Sequence, residues 1–109
     1  MACRKSLNIR IRANSQTIFN FLCSQDNILG RYRIKSVDNQ RLVIFLKNGV
    51  NWRSWGENIT IEVEHETNET AKIIISSESA VSTTLIDWGQ NQKNIEKIAH
   101  YIHSVFPCI

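Results

Sequence analysis

The sequence has few residues that break or cross-link a chain: its 109 residues include one proline, four glycines and three cysteines. So little proline and glycine excludes collagen-like and linker-like sequence. Cys3, Cys23 and Cys108 are widely spaced and form no CxxC pair, so the pattern indicates neither a disulfide framework nor a zinc site. We expect reduced thiols, as in a cytoplasmic protein.

No apolar run is long enough to cross a membrane. The longest, residues 42–46, has five residues, whereas a membrane-spanning helix needs about 20. The basic residues at the start are followed by a polar strand pattern, where a secretory signal would have its apolar core. The sequence therefore predicts a cytoplasmic protein without a membrane span.

Motifs for catalysis and for cofactor binding are also missing. The four glycines form no phosphate-binding loop, and no Ser/His/Asp or Cys/His arrangement has the flanking residues of a known nucleophile. Glu96, His100 and His103 share one flank of a predicted helix, but a zinc site usually needs a ligand from elsewhere. We expect a solvated helix face there, with no metal, no cofactor and no support for an enzyme.

What the sequence does have is regular hydrophobic periodicity. Apolar and polar residues alternate over residues 7–13, as in a half-buried strand. Asn14 or Ser15 offers an N-cap for a helix whose apolar residues recur at helical spacing as far as Leu29. Gly30 is predicted to end this first helix.

Four further strands are predicted, separated by turn residues at 38–40, at Asn48-Gly49 and at 67–69. The inward-facing positions change from even to odd between Trp52 and Ile59, which predicts a bulge or loop at Gly56. The predicted strands cover residues 31–35, 41–47, 57–65 and 70–77. The apolar run in the second of these predicts a strand that is more buried than the one before it.

The last predicted element is a helix with an apolar stripe from Ile95 to Phe106. Asp87 is its predicted N-cap, with Gln90 completing a capping box, and Pro107 ends it. The element order is then β-α-β-β-β-β-α. Consecutive strands joined by short turns favour an antiparallel meander, so we predict one α+β domain over residues 1–109: a five-stranded antiparallel sheet with two helices packed on one face.

This order resembles the fold of the TATA-box-binding protein half and the reduced core of the helix-grip, or Bet v 1-like, proteins. A narrower resemblance rests on two segments. Ser54-Trp55-Gly56-Glu57 and the run DWGQN at residues 87–91 are similar to the SWGE-type and DWGxN-type segments of an uncharacterised family of small bacterial proteins. That resemblance implies a bacterial protein of this architecture and supplies no catalytic residue.

Three tryptophans are the best candidates for a functional site in the sequence. Trp52, Trp55 and Trp88 lie close to glycines, in a predicted loop and at a helix start. A tryptophan in such a place often marks an interaction surface, because the ring is apolar and its N–H needs a partner. We predict a non-enzymatic binding module that contacts a protein partner or a small apolar ligand near these residues and Arg53. The alternative is that the indoles close one end of the core.

Charge is distributed unevenly along the chain. The first 55 residues hold ten basic and two acidic residues, and the rest hold three and eight, for a net charge of +3. Strand periodicity places four basic residues on the outer face of the sheet: Arg10, Arg12, Arg33 and Lys35. Binding of nucleic acid or an anionic surface by this face is the alternative function. No aromatic residue interleaves these strands, and the acidic strands are expected to complement the basic ones.

Overall fold

The computed structural model describes residues 4–48, 56–79 and 89–108. Over these residues the chain forms six strands and two helices: β1 (Arg4–Ile11), α1 (Ser15–Cys23), β2 (Asn27–Ile28), β3 (Tyr32–Asp38), β4 (Val43–Asn48), β5 (Glu57–Thr67), β6 (Thr70–Ser79) and α2 (Gln90–Val105). The strands form one antiparallel sheet in the order β1-β6-β5-β4-β3-β2. The predicted α+β class is confirmed, but the prediction of five strands is wrong.

The first helix begins as predicted and ends earlier. The Asn14 side chain caps α1, because its Oδ1 accepts hydrogen bonds from the backbone N–H groups of Gln16 at 2.9 Å and Thr17 at 3.3 Å. At the other end, the Ser24 hydroxyl donates to the Phe21 carbonyl at 2.7 Å. This bond and the Ser24 backbone N–H satisfy carbonyls in the last turn of α1, which ends at Cys23.

The sixth strand, β2, occupies residues that the helical spacing assigned to α1. Ile28 lies opposite Tyr32 in a short hairpin between β2 and β3. Its side chain is fully buried in the same core as the apolar residues of α1. A position that is buried in the core is apolar whether it lies in a helix or in a strand. The helical spacing of apolar residues therefore continues beyond Cys23, where α1 ends.

Both helices pack on one face of the sheet, as predicted. α1 contacts β5 and β6, and α2 contacts β1 and β6. The inward positions of the two central strands match the predicted parity: Ile59, Ile61 and Val63 on β5, and Ala71, Ile73 and Ile75 on β6. The described residues between these layers form one continuous apolar core. No helix among the described residues is long and apolar enough to cross a membrane.

The predicted turns are confirmed where the structure describes them. Asp38 Oδ1 accepts from the backbone N–H groups of Gln40 and Arg41, which closes the turn between β3 and β4. Gly56 has a φ of 85° and β5 begins after it, which agrees with the predicted break. The turn at Asn48-Gly49 and the Asp87 cap involve residues outside the described ranges.

The strand with the apolar run, β4, is more buried, as predicted, at most of its apolar positions. Phe45 is the exception among them, with 41% of its side chain exposed. Its neighbours Ile44 and Leu46 are buried. The two helices cover only one face of the sheet, so alternate side chains of β4 point away from the core.

We expect Asn14→Ala to lower the free energy of unfolding by about 1 kcal/mol, because two backbone N–H groups at the start of α1 lose their acceptor. Urea unfolding followed by circular dichroism measures the effect. Thr17→Ala is the matched control, since Thr17 is exposed on the same helix. Equal losses in the two variants would contradict the assignment of Asn14 as the cap.

Candidate functional site

Polar side chains meet under the start of α2, on the face of the sheet that is otherwise apolar. We call this group the buried polar cluster: Tyr32, Asn48, Glu57, Ser77, Ser79, Asn91 and Asn94. Glu57 is only 3% exposed, and Asn91 and Asn94 are fully buried. The cluster therefore takes a carboxyl group and three amides out of water, which is tolerated only when each polar atom is hydrogen-bonded.

Asn94 connects α2 to three strands of the sheet. Its Nδ2 donates to Glu57 Oε1 at 2.8 Å and to Ser77 Oγ at 3.1 Å. Its Oδ1 accepts from the Tyr32 hydroxyl at 3.0 Å and from Gln90 Nε2 at 2.8 Å. One side chain thus holds the helix to β3, β5 and β6.

Further bonds join strand ends to one another and to α2. Asn48 Nδ2 donates to Glu57 Oε1 at 2.7 Å, which connects the end of β4 to the start of β5. Ser77 Oγ donates to Asn91 Oδ1 at 2.8 Å, and Asn91 Nδ2 donates to Ser79 Oγ at 3.3 Å. Across the described part of the chain, every buried side-chain polar atom has a partner.

The phenol of Tyr32 acts as a donor in this arrangement. Burial raises the pKa of Tyr32; the Arg31 guanidinium, 5.4 Å from the ring centre, opposes the rise, and the Glu57 carboxyl adds to it. The phenol therefore stays protonated at neutral pH and donates to Asn94.

A groove opens beside the cluster, between α2 and the turn that joins β2 to β3. We call it the α2 groove; it has a volume of about 680 Å³. Its walls are formed by Leu29, Arg31, Glu96, Lys97, His100, Tyr101 and Ser104. Arg31 connects the groove to the cluster, because its Nε donates to Asn48 Oδ1 at 3.4 Å. The groove and the buried polar cluster are therefore neighbours.

The α2 groove combines an apolar surface with positive charge. Leu29 is 46% exposed. The ring of Tyr101 is half-buried and is held in place by its hydroxyl, which donates to Gln25 Oε1 at 2.9 Å. Arg31 and Lys97 supply two positive charges and the Glu96 carboxylate, one oxygen of which accepts a bond from Gln92 Nε2, supplies one negative charge, so these three side chains leave the groove with a net positive charge. Such a groove suits a molecule with an apolar body and an acidic group.

Metal ligation finds no support among the residues that the structure describes. No three His, Cys, Asp or Glu side chains there are placed to hold a metal ion. Glu96 and His100 face the α2 groove instead. Cys23 is a free thiol, and burial raises its pKa, so the thiol stays protonated at neutral pH and reacts slowly.

The predicted site residues Trp52, Arg53, Trp55 and Trp88 lie outside the described residues. The residues that flank their segments are described, however. Asn48 and Glu57 stand on either side of the first segment, and Ser79 and Gln90 on either side of the second. All four flanking side chains take part in the hydrogen bonds that surround Asn94 or Asn91.

The basic residues of the alternative site lie on two separate strands. Arg10 is on β1 with Arg12 just after it, whereas Arg33 and Lys35 are on β3. Three strands, β6, β5 and β4, stand between them. Arg10 Nε lies 3.2 Å from Glu66 Oε2. The structure therefore does not bring the two pairs together, and it gives Arg10 an acidic partner.

The middle of the outer sheet face is acidic and partly apolar. A shallow pocket of about 350 Å³ there is lined by Asp38, Arg41, Val43, Phe45, Thr60, Glu62 and Glu64. Lys72 Nζ on β6 lies 4.0 Å from Glu64 Oε1 on β5. Acidic residues thus lie between the two basic pairs on this face.

The buried polar cluster is not among the sites predicted from the sequence, although the sequence carries a signal for it. Glu57 has the same odd parity as Ile59 and Ile61 on β5, so the strand pattern places it inward. Asn94 lies four residues before Ile98, on the apolar stripe of α2. Polar residues that continue an inward-facing series are the detectable sign of a buried network.

Comparison with known proteins identifies the fold. No protein-family model and no curated protein matches the sequence. The chain is similar in structure to the di-domain ARO/CYC protein BexL, with a TM-score of 0.71 and 12% identity over 94% of this chain and 46% of BexL. A START superfamily protein from Mycobacterium smegmatis matches with a TM-score of 0.62 and 11% identity over 93% of this chain and 94% of that one. The chain has a START-like fold.

A third similar structure contains small aromatic molecules. Norcoclaurine synthase from Thalictrum flavum, in complex with dopamine and hydroxybenzaldehyde, matches with a TM-score of 0.67 and 11% identity, over 96% of this chain and 86% of the enzyme. Identities this low show the fold alone. The expected Bet v 1-like architecture agrees with this START-like fold, whereas the resemblance to the TATA-box-binding protein half is not confirmed.

We expect Asn94→Ala to lower the free energy of unfolding by about 3 kcal/mol, because Glu57, Tyr32 and Ser77 lose a buried partner. Denaturant unfolding measures the loss. Lys93→Ala, an exposed position on α2, is the control and should change stability by less than about 0.5 kcal/mol. A small effect at Asn94 would show that the cluster does not hold α2 on the sheet.

Proposed function

We propose that this protein is a binding module for a small organic anion with an apolar, aromatic body, held in the α2 groove. The observation that carries the proposal is the composition of the groove. It places an exposed leucine and a fixed tyrosine ring beside the cations of Arg31 and Lys97. An apolar body would lie against Leu29 and Tyr101, and an acidic group would pair with Arg31 or Lys97.

The similar structures support a small molecule as the ligand. They include aromatase/cyclase proteins and norcoclaurine synthase with two small aromatic molecules bound. A groove of about 680 Å³ is within the size range of small-molecule sites. A protein partner, the other occupant that the tryptophans suggest, would need a larger apolar surface than this groove offers.

We include Trp52, Arg53, Trp55 and Trp88 in the proposed site. Support comes from the flanking residues, which all meet at the buried polar cluster next to Arg31. Tryptophan rings suit an aromatic ligand, and Arg53 would add a third cation. The SWGE-type and DWGxN-type segments would then serve as binding segments.

The internal hydrogen bonding of the buried polar cluster favours binding without catalysis. Its carboxyl group, amides and phenol are bonded to one another, and every buried side-chain polar atom in the described ranges is satisfied. A cluster of this kind holds α2 on the sheet, so we propose a structural role for it and a binding role for the groove.

Nucleic-acid or anionic-surface binding by Arg10, Arg12, Arg33 and Lys35 remains the alternative function. The separation of the two basic pairs and the acidic pocket between them favour the groove. The alternative predicts retention on DNA or RNA that falls steeply with salt and is lost on charge reversal at Arg10 and Arg33.

Two dyes test the proposal: 1-anilinonaphthalene-8-sulfonate and N-phenyl-1-naphthylamine, which has the same rings without the sulfonate. We expect tighter binding of the sulfonate, measured by fluorescence titration. Lys97→Glu should weaken sulfonate binding about five-fold, because one ion pair at the groove becomes a repulsion. Binding of the neutral dye should change little.

Lys35→Glu is the matched control, since it makes the same charge change on β3, away from the α2 groove. We expect it to leave sulfonate binding unchanged. Equal effects of the two variants would show that net charge, not the groove, attracts the dye. Equal affinity for the two dyes in the unmodified protein would contradict an anionic ligand.

A further inference from the structure

Leu29 adopts a backbone conformation that is unfavourable for leucine. Its φ is 58° and that of the next residue, Gly30, is 70°, so both central residues of the turn between β2 and β3 are left-handed. A side chain at Cβ makes this conformation costly for residues other than glycine, asparagine and aspartate. Glycine at position 30 avoids this cost, whereas leucine at position 29 does not.

The fold does not compensate this cost by burying the side chain. Leu29 is 46% exposed and is one of four large apolar residues that the described ranges leave exposed. It lines the α2 groove opposite the helix residues Lys97 and Tyr101. A glycine here would fit the turn better, so stability alone gives no reason for a leucine.

A second leucine in the described ranges also has a positive φ and provides a contrast. Leu42 has a φ of 55°, but its side chain is partly buried against the core. Its carbonyl also accepts a 2.9 Å bond from the Val63 N–H. Core packing therefore accounts for leucine at position 42 and not at position 29.

We propose that Leu29 is a ligand-contacting residue of the α2 groove, kept in an unfavourable conformation because it supplies the apolar surface on which the ligand's ring rests. This rests on the proposed function, which places the apolar body of the ligand against Leu29, and it goes further: the side chain at position 29 decides affinity for that part of the ligand. Strained conformations that packing does not explain are typical of binding sites. Leu29 would contact the apolar body of the ligand, and Arg31 and Lys97 would pair with its acidic group.

Leu29→Gly separates stability from binding. We expect its midpoint of thermal unfolding to stay the same or to rise by about 3 °C, because glycine adopts positive φ without a penalty. The affinity for 1-anilinonaphthalene-8-sulfonate should fall at least five-fold. Leu29→Asn, which tolerates the same φ but has a polar side chain, should lose affinity similarly.

Leu42→Gly is the matched control. It relieves the same unfavourable φ, but it also removes a side chain that packs against the core. We expect it to lower the midpoint of thermal unfolding and to leave the dye affinity unchanged, because Leu42 does not line the α2 groove.

The outcomes separate this inference from the proposed function. If Lys97→Glu weakens sulfonate binding and Leu29→Gly does not, the groove binds the anion but Leu29 is not a contact, and the inference is wrong. If the unmodified protein binds neither dye, both proposals are wrong. A fall in the midpoint of Leu29→Gly would show that the leucine stabilises the fold, which would also overturn the inference.

Discussion

The hydrogen bond from Asn94 to Glu57, 2.8 Å long, is the contact on which the arrangement of α2 depends. A carboxyl group that is 3% exposed is costly to bury, and it is tolerated here because two amides donate to one of its oxygens. One donor comes from β4 and the other from α2. The carboxyl group can keep both donors only while the helix lies across this end of the sheet.

The same contact positions the α2 groove. Asn94 also accepts from Tyr32 at the start of β3, and Arg31 next to it donates to Asn48. The turn before β3 is thereby held at a defined distance from α2, and the space between them is the groove. Apolar packing alone would hold the helix with less specificity for one position, because apolar contacts are not directional.

Much of the local structure could be predicted from the sequence, because the relevant interactions lie within a few residues. Asn14 caps the helix that follows it, Asp38 closes its own turn, and Gly56 precedes the start of β5. The end of α1 could not be predicted in the same way. Ile28 is buried in a strand, and the spacing of apolar residues does not distinguish this from burial in a helix.

By itself the sequence determined the α+β class, the inward faces of β5 and β6, and the starts of both long strands and helix α1. Only the tertiary structure decided the partners of the buried polar side chains and the place of the groove. Asn94 lies 37 residues from Glu57 and 62 from Tyr32, and periodicity carries no information about which distant residues meet. Those contacts form when the two helices cover one face of the sheet. That packing exists only in the folded chain, and it decides which distant residues meet.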